Sequence, residues 1–251
     1  MAEFQLHTMH VSMQFSDTKR QKQDDALKIF DRAARRKVAW VTGTEAGEKV
    51  LRDALRDQAR AHEFRFVEFK SNWIAVARSM IDKGTWTTET FTVVDNDLTV
   101  GAGHDTSLVV ARFTSSELGG PVAVMASHFP RFGRPDAKDP AYRLNLRWNQ
   151  EIADFIGVKA KEYGKGRALV FYGGDQNIPD TRSDTFLGNP LTSLADELNK
   201  YPGTGHGPID VIASYDQDKR VKGSYWRALN DKEFPLNTDH FACEGGFTVG
   251  V

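Results

Sequence analysis

The spacing of apolar residues in the first third of the chain predicts two amphipathic helices. Apolar residues recur every three or four positions from Leu27 to Ala34 and again from Val50 to Ala59. The first helix is expected to start soon after the polar stretch at residues 16–18. Asp24 and Asp25 stand where the first turn of a helix favours negative charge, and a basic run at residues 35–37 complements its other end. Strand-like segments flank the helices at residues 9–15, 38–42 and 64–69, and Gly43 is expected to end the second of them. This third is therefore predicted to run strand, helix, strand, helix, strand.

The middle of the chain is rich in Thr, Val and aromatic residues, with Gly, Asn and Asp between the runs. This pattern predicts antiparallel strands at residues 85–95, 97–100, 107–114 and 122–127. Asp139 and Pro140 predict the start of a long helix that ends near Gly164. A strand at 168–172, a helix at 192–201, a strand at 209–214 and short C-terminal strands complete the prediction. Such an order favours two packed sheets covered by helices, in one domain over residues 1–251.

Composition narrows the classes of function. The chain has 251 residues, of which 40% are hydrophobic, and its formal net charge is −1. Any attraction to a polyanion must therefore come from local basic patches. The single cysteine, Cys243, excludes an intramolecular disulfide, and no run has the layout of a signal peptide or the roughly 20 apolar residues that cross a bilayer. We expect a cytoplasmic protein without membrane attachment.

Three segments end in polar residues that are able to carry chemistry. The strand at 168–172 runs into Gly-Gly-Asp-Gln-Asn, whose glycines permit a sharp turn that presents Asp175 and Asn177 at the edge of a sheet. His128 closes an apolar strand, and Asp239-His240 offers a carboxylate for a hard cation and an imidazole for a phosphate. Taken singly, each has a structural explanation: an Asx turn, a hydrogen-bonded structural histidine and a surface pair.

The order of these groups is more specific than any one of them. The chain shows SMQF at 12–15, GTEAG at 43–47, ASHF at 126–129, GGDQN at 173–177, PIDVIAS at 208–214 and NTDHF at 237–241. In this combination it resembles the endonuclease/exonuclease/phosphatase superfamily, which includes deoxyribonuclease I and relatives of exonuclease III. The segment around PIDVIAS is also similar to small phage-encoded members. The resemblance spans nearly the whole chain and implies a four-layer α/β/β/α sandwich of two mixed, mainly antiparallel sheets.

The resemblance implies a divalent-cation site. It assigns Glu45 as a ligand of Mg²⁺ or Mn²⁺, assisted by Gln14 and Asp239, with most of the coordination shell left to water. Gln14 stands where the family has an asparagine, and its extra methylene puts that ligand in doubt. Thr238 replaces the usual serine before Asp239 and keeps the hydroxyl.

The resemblance also implies catalytic roles. Asp175 and Asn177 are expected to orient or deprotonate the attacking water. His240, held in one tautomer by Asp210, is expected to donate to the phosphate or to act as an acid or base. We therefore predict that Asp210 lies within hydrogen-bond reach of His240.

His128 is similar to the second histidine of the deoxyribonuclease I branch, which implies that it stabilises negative charge. The sequence does not identify its carboxylate partner, for which Glu89 is one candidate. Arg131, Arg134 and Lys138 follow it on a loop expected to overhang the site, where they are candidates to contact a nucleic-acid backbone.

These assignments predict a Mg²⁺-dependent phosphodiesterase, most directly a nuclease acting on DNA or RNA, with nucleic acid as its substrate and no obligatory protein partner. A phosphoinositide or sphingolipid phosphoesterase is the alternative within the family. Ile178 and Pro179 after Asn177 differ from the aromatic-Arg pair of inositol polyphosphate phosphatases, which lowers that option. A catalytically lapsed binding protein on the same fold is a third hypothesis, supported by Gln14 alone.

Overall fold

The computed structural model describes residues 3–13, 18–92, 106–129, 140–177, 190–199, 210–238 and 240–251. The strands in these ranges are β1 (Glu3–Ser12), β2 (Trp40–Thr44), β3 (Phe64–Phe69), β4 (Asn72–Ala77), β5 (Thr87–Thr92), β6 (Ser107–Ser115), β7 (Gly120–His128), β8 (Leu169–Asp175), β9 (Thr192–Ser193), β10 (Asp210–Tyr215), β11 (Val221–Leu229) and β12 (Ala242–Gly250). The helices are α1 (Lys19–Arg35), α2 (Lys49–Ala61), α3 (Pro140–Tyr163) and α4 (Leu194–Glu197), with 3₁₀ turns at Arg78–Met80 and Lys165–Arg167. None of these helices is both long enough and apolar enough to cross a membrane.

The described strands form two six-stranded sheets. The first sheet has the order β11-β12-β1-β2-β4-β3, and the second has the order β5-β6-β7-β8-β10-β9. Each contains one parallel pair, β1 with β2 and β7 with β8, and all other described neighbours are antiparallel. Helices α1 and α3 make the two crossovers, since parallel strands need a long connection. Both sheets are therefore mixed and mainly antiparallel, as predicted.

Three apolar clusters arrange these elements in four layers. Between the sheets, Phe171 of the second sheet contacts Trp40 and Phe247 of the first, with ring centroids 4.5 and 5.2 Å apart. Helices α1 and α2 cover the outer face of the first sheet through residues such as Phe30, and α3 covers the second through residues such as Ile156. The predicted α/β/β/α sandwich is confirmed, while the one-domain organisation stays a prediction.

Helix α1 begins one turn earlier than the acidic residues indicated. Thr18 caps it by accepting a hydrogen bond from the Gln21 amide, and the Gln21 side chain accepts from the Thr18 amide in return. The helix does begin soon after the polar stretch at 16–18, as expected, but Asp24 and Asp25 lie beyond its first turn, so their predicted place there is wrong. Buried Asp25 instead accepts hydrogen bonds from the backbone and side chain of Asn237. The capping box decides the start because it satisfies backbone amides directly.

Several other elements differ from the predicted ones. Strand β4 was not predicted, and the helix expected at 192–201 is a two-residue strand followed by the one-turn helix α4. Strands β11 and β12 each have nine residues, although short strands were expected. The predicted strand at 97–100 lies outside the described residues. Pairing with neighbours overrides local propensity in these strands, since β12 contains several glycines yet pairs on both sides.

Gly43 lies inside β2 and does not end it. It is the register partner of Trp73 on β4, and a Cβ at position 43 would lie 2.1 Å from Cε2 of the Trp73 ring. The Trp73 side chain is fully buried. Glycine is therefore required at position 43 because the Trp73 indole packs over the strand, and not because the chain turns there.

Gly43→Ala is expected to lower the free energy of unfolding by about 1–3 kcal/mol, because the new methyl group displaces a closely packed ring. Denaturant unfolding followed by circular dichroism measures this change. Gly47→Ala is the matched control, since nothing lies within 4 Å of a Cβ at that position. Equal destabilisation by both variants would contradict the packing explanation.

Candidate active site

Polar residues from both sheets meet at one end of the sandwich. Asp175, the last residue of β8, is the register partner of His128 at the end of β7 and of Asp210 at the start of β10. Strand β10 is antiparallel to β8, so its first residue lies at the same edge of the sheet as the last residues of the parallel strands β7 and β8. Glu45 follows β2 directly. The strand ends singled out from the sequence therefore come together.

Asp210 and His240 form a buried pair. Nδ1 of His240 lies 3.0 Å from Oδ2 of Asp210, which confirms the predicted contact. Ser12 of the first sheet donates a hydrogen bond of 2.7 Å to the other oxygen, Oδ1. Because a carboxylate oxygen only accepts, the Nδ1 atom of His240 carries the proton. Its Nε2 then lies on the side of Asp175, whose Oδ2 is 3.9 Å away.

The two members of this pair are ionised. Burial lowers the pKa of His240, but the hydrogen bond and charge of Asp210, with the charges of Asp175 and Glu45, outweigh burial and raise it to about 9. Burial raises the pKa of Asp210, yet the neighbouring rings of His10 and His240 hold it well below its usual range. At neutral pH the pair is therefore an imidazolium bonded to a carboxylate.

Asp175 uses its two oxygens differently. Oδ1 accepts a hydrogen bond of 2.8 Å from the Asn177 amide, which is the contact of an Asx turn. Oδ2 lies 3.6 Å from Nε2 of His128 and has no hydrogen-bond partner within the described ranges. Burial and then the charge of Asp210 raise the pKa of Asp175 well above its ordinary value. One oxygen thus fixes the turn, and the other faces the site.

Asn177 positions His128. Its side-chain nitrogen lies 2.8 Å from the carbonyl oxygen of Phe129 and 2.7 Å from Nε2 of His128. The Phe129 carbonyl orients the amide so that the nitrogen donates in both contacts. The structure therefore places Asn177 against His128, and its predicted role toward the attacking water stays a prediction.

The carboxylate beside His128 is not Glu89. Glu89 bonds Arg112 at 2.9 Å and Tyr163 at 3.0 Å, so that candidate is wrong. Oε1 of Glu45 and Oδ2 of Asp175 each lie 3.6 Å from Nε2 of His128 instead. The contact with Glu45 could not be inferred from the sequence, because Glu45 follows a strand of the first sheet and His128 ends a strand of the second.

Two site residues have left-handed backbone conformations. Glu45 has φ of 61° and Asn177 has φ of 51°. Asparagine tolerates this region, but a non-glycine residue such as glutamate is held there at a cost of about 1–3 kcal/mol. The surrounding structure therefore fixes Glu45 in a conformation that its own propensity disfavours.

Glu45, Asp175 and His240 form a group that is able to hold a metal ion. One ligand atom from each lies within 4.8 Å of the other two. Mg²⁺ prefers oxygen ligands, so the two carboxylates fit this ion, whereas the imidazolium of His240 fits a phosphate oxygen. Gln14 and Asp239, the other predicted ligands, lie outside the described residues.

Comparisons with known proteins bear on the fold. No family model matches the chain, and no curated protein matches it. An endonuclease/exonuclease/phosphatase from Bacteroides vulgatus superposes with a TM-score of 0.72 at 15% identity, over 98% of this chain and 100% of that one. The mannosyl-6-phosphatase of Bacteroides thetaiotaomicron gives 0.68 at 14%, over 96% and 99%. D. rerio TDP2 complexed with a single-strand DNA product gives 0.66 at 14%, over 97% and 98%. The chain has the endonuclease/exonuclease/phosphatase fold.

Sequence reasoning missed four buried polar residues beneath the site of this endonuclease/exonuclease/phosphatase fold. They are His10, Ser12, Thr42 and Thr44, all buried on the parallel pair β1 and β2. Their hydroxyl groups and ring nitrogens bond across the pair, at 2.8 Å for Ser12 with Thr44 and 3.0 Å for His10 with Thr42. The sequence did contain a signal for them, since His10 and Ser12, and likewise Thr42 and Thr44, are two positions apart. Residues at every second position of a strand lie on one face. That face points to the second sheet.

Proposed function

We propose that the protein hydrolyses phosphodiester bonds with the help of a divalent cation and that its substrate is a nucleic acid. The observation that carries this proposal is the approach of Glu45, Asp175 and His240, whose ligand atoms lie within 4.8 Å of one another. Two carboxylates brought this close repel each other unless a cation or donor balances them. A purely structural role does not account for the cost of this arrangement, whereas phosphate chemistry does.

Glu45 holds Mg²⁺ or Mn²⁺ in this proposal, with Gln14 and Asp239 as further ligands. The bound ion supplies neutralisation of charge on the phosphate. Asp175 acts on the nucleophile: its Oδ2, which faces the site, orients a water molecule and accepts its proton as the water oxygen bonds to phosphorus.

His240 and His128 act on the phosphate. The imidazolium of His240 donates from Nε2 to a phosphate oxygen or to the leaving oxygen as the phosphorus–oxygen bond breaks. Asp210 keeps that ring in the required tautomer. His128, whose Nε2 accepts from Asn177 in this structure, stabilises negative charge once that nitrogen is protonated and the amide is displaced by the phosphate.

The choice of a nucleic acid is supported by a relative of the same fold. The D. rerio TDP2 structure holds a single-strand DNA product, whereas the Bacteroides thetaiotaomicron neighbour is a mannosyl-6-phosphatase. The basic residues Arg131, Arg134 and Lys138 follow His128 in the sequence and suit a polyanionic strand. The alternative is a phosphomonoesterase, and the experiment must distinguish that activity from cleavage of a nucleic acid.

Hydrolysis is expected to require an added divalent ion. Supercoiled plasmid, single-stranded RNA, a sugar 6-phosphate and a panel of lipid phosphates are incubated with the protein in Mg²⁺, Mn²⁺ or EDTA. We expect cleavage of a nucleic acid with either ion and a loss of at least about 10²-fold in EDTA, because charge on the phosphate is then not neutralised. Undiminished turnover in EDTA contradicts the cation role, and release of phosphate from the small substrates alone contradicts the nuclease assignment.

A pair of glutamate variants controls this experiment. Glu45→Gln removes the charge of the proposed ligand and is expected to weaken the dependence of the rate on Mg²⁺ concentration. Glu117→Gln removes the charge of an exposed glutamate in the turn between β6 and β7, far from His128, and is expected to behave as the wild type.

A further inference from the structure

Asp210 contacts a second imidazole, which belongs to the opposite sheet. His10 lies on β1 and is fully buried, and its Nε2 is 3.4 Å from Oδ1 of Asp210. The same oxygen accepts the hydrogen bond from Ser12. His240 occupies the other oxygen, Oδ2. The carboxylate therefore lies between two histidine rings.

The contacts of His10 favour one tautomer. Nε2 faces Asp210 at 3.4 Å without hydrogen-bond geometry, and because a carboxylate oxygen only accepts, this approach is favourable when Nε2 carries the proton. In a neutral imidazole the second nitrogen is then an acceptor. Nδ1 lies 3.0 Å from Oγ1 of Thr42, whose single hydroxyl proton is able to go to Nδ1 or to the Met9 carbonyl oxygen, 3.4 Å away. When it goes to Nδ1, a chain of donors runs from Thr42 through His10 to Asp210.

In the second sheet, Gly173 leaves room for the side chains of Thr42 and His10. A Cβ at position 173 would lie 2.0 Å from Oγ1 of Thr42 and 3.3 Å from Nδ1 of His10. Any larger residue there would displace the hydroxyl that holds the ring. The first glycine of the Gly-Gly-Asp segment therefore serves the contact between His10 and Thr42 as well as the turn toward Asp175.

We propose that His10 is a positioning residue for the Asp210–His240 pair. The hydrogen bond from Ser12 and the close approach of the His10 ring, both at Oδ1, fix the plane of the carboxylate, and this directs Oδ2 at Nδ1 of His240. A carboxylate held at one oxygen only would rotate and lose that alignment. His10 itself does not reach the reacting groups. The proposal rests on the phosphoesterase function proposed above.

Kinetics of two substitutions test the role. His10→Phe fills the space but cannot donate, and we expect kcat to fall about 10–100-fold with KM unchanged, as for other residues that orient a site residue. His10→Gln keeps a donor toward Asp210 and is expected to recover most of the wild-type kcat. His62→Phe is the matched control, because His62 also bonds a carboxylate, Oδ1 of Asp31 at 2.9 Å, away from the site. A folded His10→Phe protein with wild-type kcat overturns the proposal.

A spectroscopic measurement separates this proposal from the function on which it rests. Long-range ¹H–¹⁵N spectra of the histidine rings report which nitrogen carries the proton. We expect His10 to be protonated at Nε2 in the wild type, and the Nδ1–H signal of His240 to weaken in His10→Phe but not in His10→Gln. A wild-type His10 protonated at Nδ1 alone overturns the proposal even if His10→Phe does not fold. If no phosphoester is hydrolysed but the ring signals behave as expected, the proposed function fails and the positioning contact stands.

Discussion

Asp175→Asn is expected to lower kcat by about 10²–10⁴-fold while the protein stays folded. The amide keeps the size of the side chain and, through its oxygen, the hydrogen bond that Oδ1 accepts from the Asn177 amide. It cannot accept a proton from water at the position of Oδ2. Substrate binding is expected to tighten slightly, because one negative charge near the phosphate is removed.

The melting temperature of Asp175→Asn is expected to equal or exceed that of the wild type. Asp175 is fully buried beside the charges of Asp210 and Glu45, so the neutral side chain relieves repulsion. Thermal melting and kcat are measured on the same preparation, with Asp57→Asn on the exposed side of α2 as the control. A folded variant that retains more than about a tenth of wild-type kcat contradicts the general-base role and leaves Asp175 as a turn residue.

Asp210→Asn is expected to lower kcat by about 10²–10⁴-fold as well, for a different reason. The carboxylate holds the proton of His240 on Nδ1, so that the ring is charged and oriented. The amide of the Asp210→Asn variant would present either its nitrogen, a donor, or its neutral oxygen to Nδ1 of His240. In neither case does a negative charge favour the imidazolium form of the ring. Asp31→Asn, which weakens the distant His62 contact, controls for loss of an Asp–His pair as such.

The same substitution is expected to change how stability depends on pH. The pKa of His240 is raised to about 9 in the folded protein from 6.5, so its protonation stabilises the fold below pH 6.5 and this contribution is lost as pH rises toward 9. In Asp210→Asn the loss over this window is expected to be much smaller, because the main cause of the raised pKa is gone. Denaturant unfolding between pH 6 and 9.5 measures the two slopes, and parallel slopes for wild type and variant contradict the assignment.

The sequence by itself determined the layers of the fold and the strand ends that carry the site. Helical spacing gave α1 and α2, because an amphipathic helix must bury one face and its period is visible locally. The motifs that contain His128, Asp175, Asp210 and His240 also carried the resemblance to the endonuclease/exonuclease/phosphatase superfamily, which implied the Asp210–His240 pair. These features are readable because each depends on residues close in sequence or on a motif.

The tertiary structure alone decided which polar groups contact one another across the two sheets. Ser12 and Asp210 are 198 positions apart, yet they share a 2.7 Å hydrogen bond. Likewise Glu45, not Glu89, lies beside His128. Gly43 makes room for a side chain of the neighbouring strand, and Gly173 makes room for side chains of the facing sheet. Such contacts depend on register and on the packing of one sheet against the other. A shift of one residue in register turns every side chain of a strand to the other face of its sheet. The local sequence pattern does not fix that register, so it could not specify these contacts.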